Sequence, residues 1–288
     1  MCKADNLFDI TGKVVAITGA AGVLYGTVAR ELATRGAKVA LLDLLGDKAQ
    51  EFADQIKADG DEALAVACNV LDPASIQSAL DAVLKSYGRV DVLINGAGGN
   101  RAGATVPRDG KFTDLVLEEV DKVFALNYKG TFLPTQIFCK YFAEKGKGIV
   151  VNTSSMSAIT PLTNVPGYSN AKAAVTNFTQ WLAVQAKVDF PDAEIRVNEI
   201  APGFLDTTQN HRLLFEADDK TLTPRGHSII AKTPFGRFGD PKELLGPILL
   251  LISDAGSFLH GTTIAIDGGF SIYSGVGPLD EKKPKAAG

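Results

Sequence analysis

The sequence predicts a single doubly wound α/β domain built on a mostly parallel sheet of about seven strands. Three observations carry this expectation. Short, almost continuous apolar runs recur along the chain, each followed by a longer segment suited to helix. A glycine-bearing turn joins the first run to an alanine-rich segment, and no proline-rich or glycine-serine linker divides the 288 residues. Strands that are apolar throughout are buried on both faces, as a parallel sheet covered by helices requires.

The elements follow in order. Lys13 to Thr18 (KVVAIT) reads as strand, GAAGVLYG as turn, and Thr27 to Arg35 as helix, closed by Gly36. Lys38 to Leu42 is a second strand ending at Asp43. The alternation continues with a helix over 48–58, a strand over 63–67, a helix from Pro73 to Tyr87 and a strand from Val90 to Ile94. Helices about 115–127 and 130–144, a strand over 148–152 and a long helix over 166–188 come next. A strand from Ile195 to Ile200, a break at Pro202-Gly203, a helix starting near Pro241 and a last strand over 262–266 complete the domain, taken as residues 1–276. The polar tail 277–288 lies outside it.

The segment 206–237 differs in texture, being long, polar and rich in cationic side chains. It reads either as a solvated insertion or as a lid, because long loops at the carboxyl ends of parallel strands are where such folds place substrate-binding groups.

Composition narrows the function classes. There are 29 basic against 33 acidic residues and no long basic stretch to neutralise a phosphate backbone, so nucleic acid is not an expected partner. No stretch approaches the ~20 apolar residues a membrane span needs, and no secretory signal is evident, so a cytoplasmic protein is expected. Cys2, Cys68 and Cys139 have no metal-ligand spacing and read as reduced thiols. His211, His227 and His260 lack HxxH spacing, so no metal is expected.

Two clusters carry chemistry. Gly19, Gly22 and Gly26 stand at the strand-to-helix turn, where backbone amides can cradle a pyrophosphate if no side chain blocks the approach. Asp43, at the end of the second strand, can accept bonds from adenosine ribose hydroxyls and repel a ribose phosphate, which favours NAD over NADP. It can equally be a turn aspartate. Downstream, Tyr168 and Lys172 are four apart in a helix and so share a face. A tyrosine of pKa ~10 is a poor acid-base group at neutral pH, but a neighbouring ammonium favours the phenolate. Ser155 lies upstream, after a strand, where its hydroxyl can orient a substrate oxygen; Ser154 is the neighbouring alternative.

These residues together resemble the short-chain dehydrogenase/reductase superfamily over 12–269. Thr18-Gly19 opens its first-turn pattern, in the variant that resembles TGGGGVLGG, with Tyr25 in place of a glycine. The ring of Tyr25 must then point away from the pyrophosphate or weaken cofactor binding. Asn95-Gly96-Ala97-Gly98 resembles the family's NNAG, and Asn69-Val70 its Asp-Val at the adenine pocket. Asn127 within LNYKG, with Ser155, Tyr168 and Lys172, matches its catalytic asparagine, serine, tyrosine and lysine.

The resemblance implies a Rossmann-type, NAD-dependent oxidoreductase. The tyrosine exchanges a proton with substrate, the serine stabilises the carbonyl, the lysine binds the nicotinamide ribose and tunes the tyrosine, and the asparagine holds a water. It also implies cofactor contacts at Leu24, Pro202, Gly203 and Thr207, and a homotetramer or homodimer assembled through long helices.

Further segments resemble the D-mannonate oxidoreductase (fructuronate reductase) branch. Among them are Gly98-Gly99-Asn100, TQNHRLL over 208–214, LTPRG over 222–226 and DGGFS over 267–271. The implied reaction is reversible oxidation of D-mannonate to D-fructuronate. A carboxylate suits a bidentate arginine and a polyol suits amides, so Arg212 or Arg225, with Asn100, Gln209 and Asn210, and Arg101 as another cation, are the expected substrate residues. Two other readings stay open: a dehydrogenase for another polyol, aldonate or polar ketone, and a cofactor-binding scaffold with little turnover.

Overall fold

The structure is a computed structural model describing residues 7–107, 109–207 and 210–276. Cys2, Gln209 and the tail 277–288 lie outside the described residues. Seven strands, β1 (Val14–Thr18), β2 (Lys38–Asp43), β3 (Ala63–Ala67), β4 (Val92–Asn95), β5 (Lys147–Thr153), β6 (Glu194–Pro202) and β7 (Thr263–Ile266), form one sheet in the order β3-β2-β1-β4-β5-β6-β7. Every pairing is parallel, beyond the mostly parallel sheet expected.

Alternation along the strands divides the interior in two. Val15, Ile17, Val39, Leu41, Ile94 and Val151 point to one face, where α1 (Val23–Ala33) and α2 (Gly46–Ala58) pack. Val14, Ala16, Ala40, Leu42, Leu93 and Val150 point to the other, against α3 (Pro73–Tyr87), where Phe138 and Phe142 are fully buried. Both faces are covered, so the strands have no solvent side on which polar residues could alternate.

Two helix ends have sharp local causes. Asp72 caps α3 by accepting from the Ala74 amide at 3.0 Å, and Pro73 opens it at a position whose N–H would be orphaned. Gly88, at φ 75°, closes the same helix in the left-handed conformation.

The helix expected over 115–127 departs from expectation. It is α4 (Leu117–Phe124), followed by a π turn over Ala125–Lys129 that leads into α5 (Gly130–Lys145). The Thr131 hydroxyl donates to the Asn127 carbonyl at 2.9 Å, and Thr135 to the Thr131 carbonyl at 2.8 Å. Pro134, inside α5, has no amide to donate to the helical ladder.

The chain order reverses beside β1, which has β2 on one side and β4 on the other. In open α/β sheets this switch point opens a crevice at the carboxyl ends of the strands. The short α6 (Met156–Ile159) and the long α7 (Pro166–Asp189) follow β5 over this end. The segment 206–237 follows β6 and holds α8 (His211–Leu214) and α9 (Pro224–Lys232), with an antiparallel bridge between Phe215 and Leu222. It is thus more ordered than a polar loop. Leu214 and Ile229 are buried with Met156, Phe238 and Phe270 in a third, smaller apolar cluster. The domain's last helix is α10 (Leu245–Ile252).

Candidate active site and cofactor cleft

A cleft of about 650 Å³ opens at the switch point, within the size range of ligand sites. Gly19, Gly22, Leu24 and Asp43 border one part of it, Asn69 and Val70 another, and Ala97, Gly98, Tyr168 and Lys172 a third. The two sequence clusters, remote along the chain, therefore share one cavity.

At the turn after β1, Gly19 has φ 70°, and a Cβ there would lie 2.7 Å from the Ala97 backbone. Only glycine fits both the conformation and the approach. Gly22 caps α1 with no side-chain hydrogen bond, so the first-turn amides are left for an anion. Gly26 sits one helical turn further on, where a Cβ would meet the Phe52 ring at 2.7 Å; its role is helix packing rather than phosphate approach. The Asp43 carboxylate accepts from the Ala21 and Leu45 amides, each at 2.9 Å, which fixes its direction at the rim. Backbone amides at a helix start, a glycine that admits close approach and a carboxylate at the end of β2 fit a dinucleotide.

At the other end, Lys172 is buried on α7 and its Nζ donates to the Thr153 carbonyl at 2.8 Å. Nζ lies 5.7 Å from the Tyr168 ring centroid. Burial pulls the lysine down to about 8, partly opposed by the buried Glu199 carboxylate on β6. Tyr168 is raised, because burial outweighs its hydrogen bond with Ser155. The expected lowering of the phenol by its neighbour is therefore corrected here: the ammonium is turned to a carbonyl and is itself desolvated. Ser155 caps α6 by accepting from the Ser157 amide at 3.1 Å, with its hydroxyl toward Tyr168. Ser154 is bonded to the Lys172 carbonyl and to Thr176, so it braces α7.

Asn127, in the π turn, is fully buried. Its amide donates to the Gly99 carbonyl at 2.8 Å and the Val123 carbonyl at 2.7 Å, while Oδ1 accepts from the Gly99 amide at 3.1 Å. Both donors of the Asn127 side chain go to backbone carbonyls, so that side chain braces the loop after β4. Asn95 is likewise turned inward, its amide donating to Thr135 at 2.8 Å and Asn152 at 2.9 Å, so a direct side-chain contact to cofactor is not what the structure builds.

Pro202 ends β6, and the Gly203 amide donates to the Ile266 carbonyl at 2.9 Å. Thr207 and Asn210 bond each other, and Asn210 also donates to the Leu205 carbonyl at 2.8 Å. Asn210 thus pins its own loop rather than facing substrate.

Of the arginines, Arg101 borders the cleft. Arg212 is ion-paired with Asp219 at 2.6 Å and Arg225 lies over the Phe204 ring, and neither borders the cleft. The expectation that either meets the substrate carboxylate is corrected here: the α8–α9 turn supplies Asp219 to Arg212, and Arg225 stacks on Phe204 after β6, away from the cleft. Asn100 donates to Thr105 at 2.9 Å. Sequence reasoning missed Thr153, whose carbonyl holds Lys172, and Glu199, which accepts from Thr263 at 2.8 Å behind it. Position before the Ser154-Ser155 pair was the only signal for Thr153.

Fold and cleft define a dinucleotide-dependent α/β oxidoreductase. The model of the short chain dehydrogenase family matches residues 13–218, and the chain belongs to that family. It is similar to an uncharacterised oxidoreductase of Bacillus subtilis, 45% identical and covering 93% of this chain and 98% of the relative. It is also similar to the D-threitol dehydrogenase of Mycolicibacterium smegmatis, 35% identical over 94% of this chain and 97% of that one. A Haemophilus influenzae structure, provisionally described as a D-mannonate oxidoreductase with bound NAD, superposes with a TM-score of 0.86 at 43% identity, covering 93% of this chain and 98% of that one.

Proposed function

We propose that the protein catalyses reversible, NAD-dependent oxidation of a sugar-acid hydroxyl, with D-mannonate and D-fructuronate as the pair. The observation that carries this reading is the single cleft bordered by Asp43 at one end and by Tyr168, Lys172 and Arg101 at the other. The likeness to the NAD-bound Haemophilus protein supports both cofactor and substrate. NAD bound in the cleft supplies the hydride acceptor at nicotinamide C4.

Gly19 and the first-turn amides of α1 hold the pyrophosphate, Asp43 the adenosine ribose, and Asn69 and Val70 flank the adenine. Lys172, held on the Thr153 carbonyl, binds the nicotinamide ribose. Pro202, Gly203 and Thr207 stand after β6 toward the carboxamide. As the carbinol C–H bond breaks and its hydride passes to the nicotinamide, Tyr168 Oη, a phenolate once it has given up its own proton, takes the hydroxyl proton and the ketone forms; Ser155 orients the same oxygen. Arg101 meets the carboxylate. In the reverse direction Tyr168 returns the proton.

The test is a matched kinetic screen of D-mannonate, D-gluconate, neutral polyols and their keto partners, with NAD and NADP. Preference for mannonate with NAD supports the reading, and Arg101→Ala should then raise its KM about tenfold or more while leaving a neutral polyol unaffected. Faster turnover of a neutral polyol would replace it with a second reading, which the D-threitol dehydrogenase relative favours. We propose a cytoplasmic protein that assembles as a homodimer or homotetramer; the assembly is supported by Trp181, Val184 and Val188, which leave a helical face of α7 exposed and apolar. Sedimentation of wild type against Trp181→Glu tests the assembly; one monomeric mass for both would refute it.

A further inference from the structure

Tyr25 stands where the first-turn pattern has a glycine, and at 3% exposed it forms part of the cleft wall without protruding into it. Its side chain lies under the turn, against the loop after β4. A Cβ on Gly96 would lie 2.4 Å from Tyr25 Cδ2, so the ring occupies the space that a side chain at position 96 would need. The two departures from the family pattern, a tyrosine for glycine at 25 and a glycine for asparagine at 96, are therefore one steric exchange.

The tyrosine hydroxyl is also placed. It is hydrogen-bonded to Thr153 Oγ1. The one hydroxyl proton of Thr153 goes to the Asn95 carbonyl at 2.6 Å, so Tyr25 is the donor of this pair. Burial holds its phenol well above the ordinary tyrosine range, which keeps that proton in place. The carbonyl of the same Thr153 accepts from Lys172 Nζ at 2.8 Å. A continuous set of contacts thus runs from α1, through Tyr25 and Thr153, to the lysine at the other end of the cleft.

We infer that Tyr25 is a positioning residue: matched to Gly96, it ties the cofactor turn to Thr153 and so holds Lys172 in place for the dinucleotide. This rests on Lys172 binding the cofactor, but not on the identity of the alcohol.

The test is NADH affinity of the full chain, read by fluorescence for wild type, Tyr25→Phe, Tyr25→Ala, Gly96→Asn and the double variant that joins Tyr25→Ala with Gly96→Asn. Wild-type binding is measured first, and its absence would overturn the cofactor reading and this one together. Tyr25→Phe keeps the ring and loses the donor. It should weaken NADH about fivefold and shift the pH at which binding falls off, and the pH shift is the readout that a purely structural role would not move. Gly96→Asn should weaken binding at least about tenfold beside Tyr25 and much less in the Tyr25→Ala background, where the ring is gone, a coupling that marks contact. If Gly96→Asn fails to fold, Tyr25→Phe decides alone. Unchanged affinity and pH profile in Tyr25→Phe would overturn the positioning role, and equal losses in both backgrounds would overturn the pairing, whatever substrate the kinetic screen selects.

Discussion

Lys172 is a cation held where a cation is costly. Buried and with its Nζ bonded to one carbonyl, it falls to about 8, so the unliganded site is losing its charge just above neutrality. A dinucleotide pyrophosphate brings negative charge into the same cleft and favours the ammonium, so binding should raise the lysine again. Between those two values binding must take up a proton. Titration calorimetry in two buffers of different ionisation enthalpy should show a fraction of a proton taken up per NADH near pH 8 and almost none at pH 6. Lys172→Met should take up none at either pH, and uptake persisting in that variant would assign the effect elsewhere.

Tyr168→Phe separates chemistry from binding. Turnover should fall by at least about a hundredfold, the scale of general acid-base catalysis, with NADH affinity within about twofold of wild type; ordinary turnover would remove Tyr168 as the proton carrier. The Tyr168-Lys172 pair was legible because four residues on a helix is a local geometry. The Thr153 carbonyl beneath it was not, since every residue has a carbonyl and only the tertiary approach of α7 to β5 selects this one.

The elements with strong local signals matched their expected bounds. Helix α3 runs over the expected Pro73–Tyr87, where an aspartate cap, a proline and a closing glycine all agree. The π turn at Ala125–Lys129 was illegible, because it has no period of its own and depends on buried bonds from Asn127 to Gly99, 28 residues away. The 206–237 segment was legible as an interruption but not as two helices, since α8 spans only His211–Leu214 and its apolar partners come from Met156, Phe238 and Phe270.

That third cluster is separate from the two sheet cores, which predicts a separable effect. Leu214→Ala removes a side chain that is 1% exposed, at a cost of about 2–5 kcal/mol. The loss should fall on the segment over the site rather than on the sheet. KM for the polar substrate should rise several-fold while NADH affinity stays within about twofold. An unchanged KM, with the variant folded, would show that the segment does not close over substrate.

At the scale of the whole molecule, the cleft is assembled from the ends of β1, β2, β3, β4 and β5, so a ligand bound there stabilises the folded chain as a unit. At a hundred times its dissociation constant, a ligand specific for the folded state contributes about 2.7 kcal/mol. For a chain of this size that raises Tm by roughly 4–5 °C. NADH and NADPH differ at the adenosine ribose, where the Asp43 carboxylate stands. Two negative groups ~4 Å apart repel by about 4 kcal/mol at an effective dielectric constant near 20, enough to cancel the gain for NADPH. Wild type should therefore show a clear thermal shift with NADH and little with NADPH at equal concentration. Asp43→Ala also loses the bonds to the Ala21 and Leu45 amides, so its own Tm should drop, and the informative quantity is the difference between its two shifts. That difference should shrink to a degree or two; if it keeps its wild-type size, cofactor choice is made by some other part of the cleft.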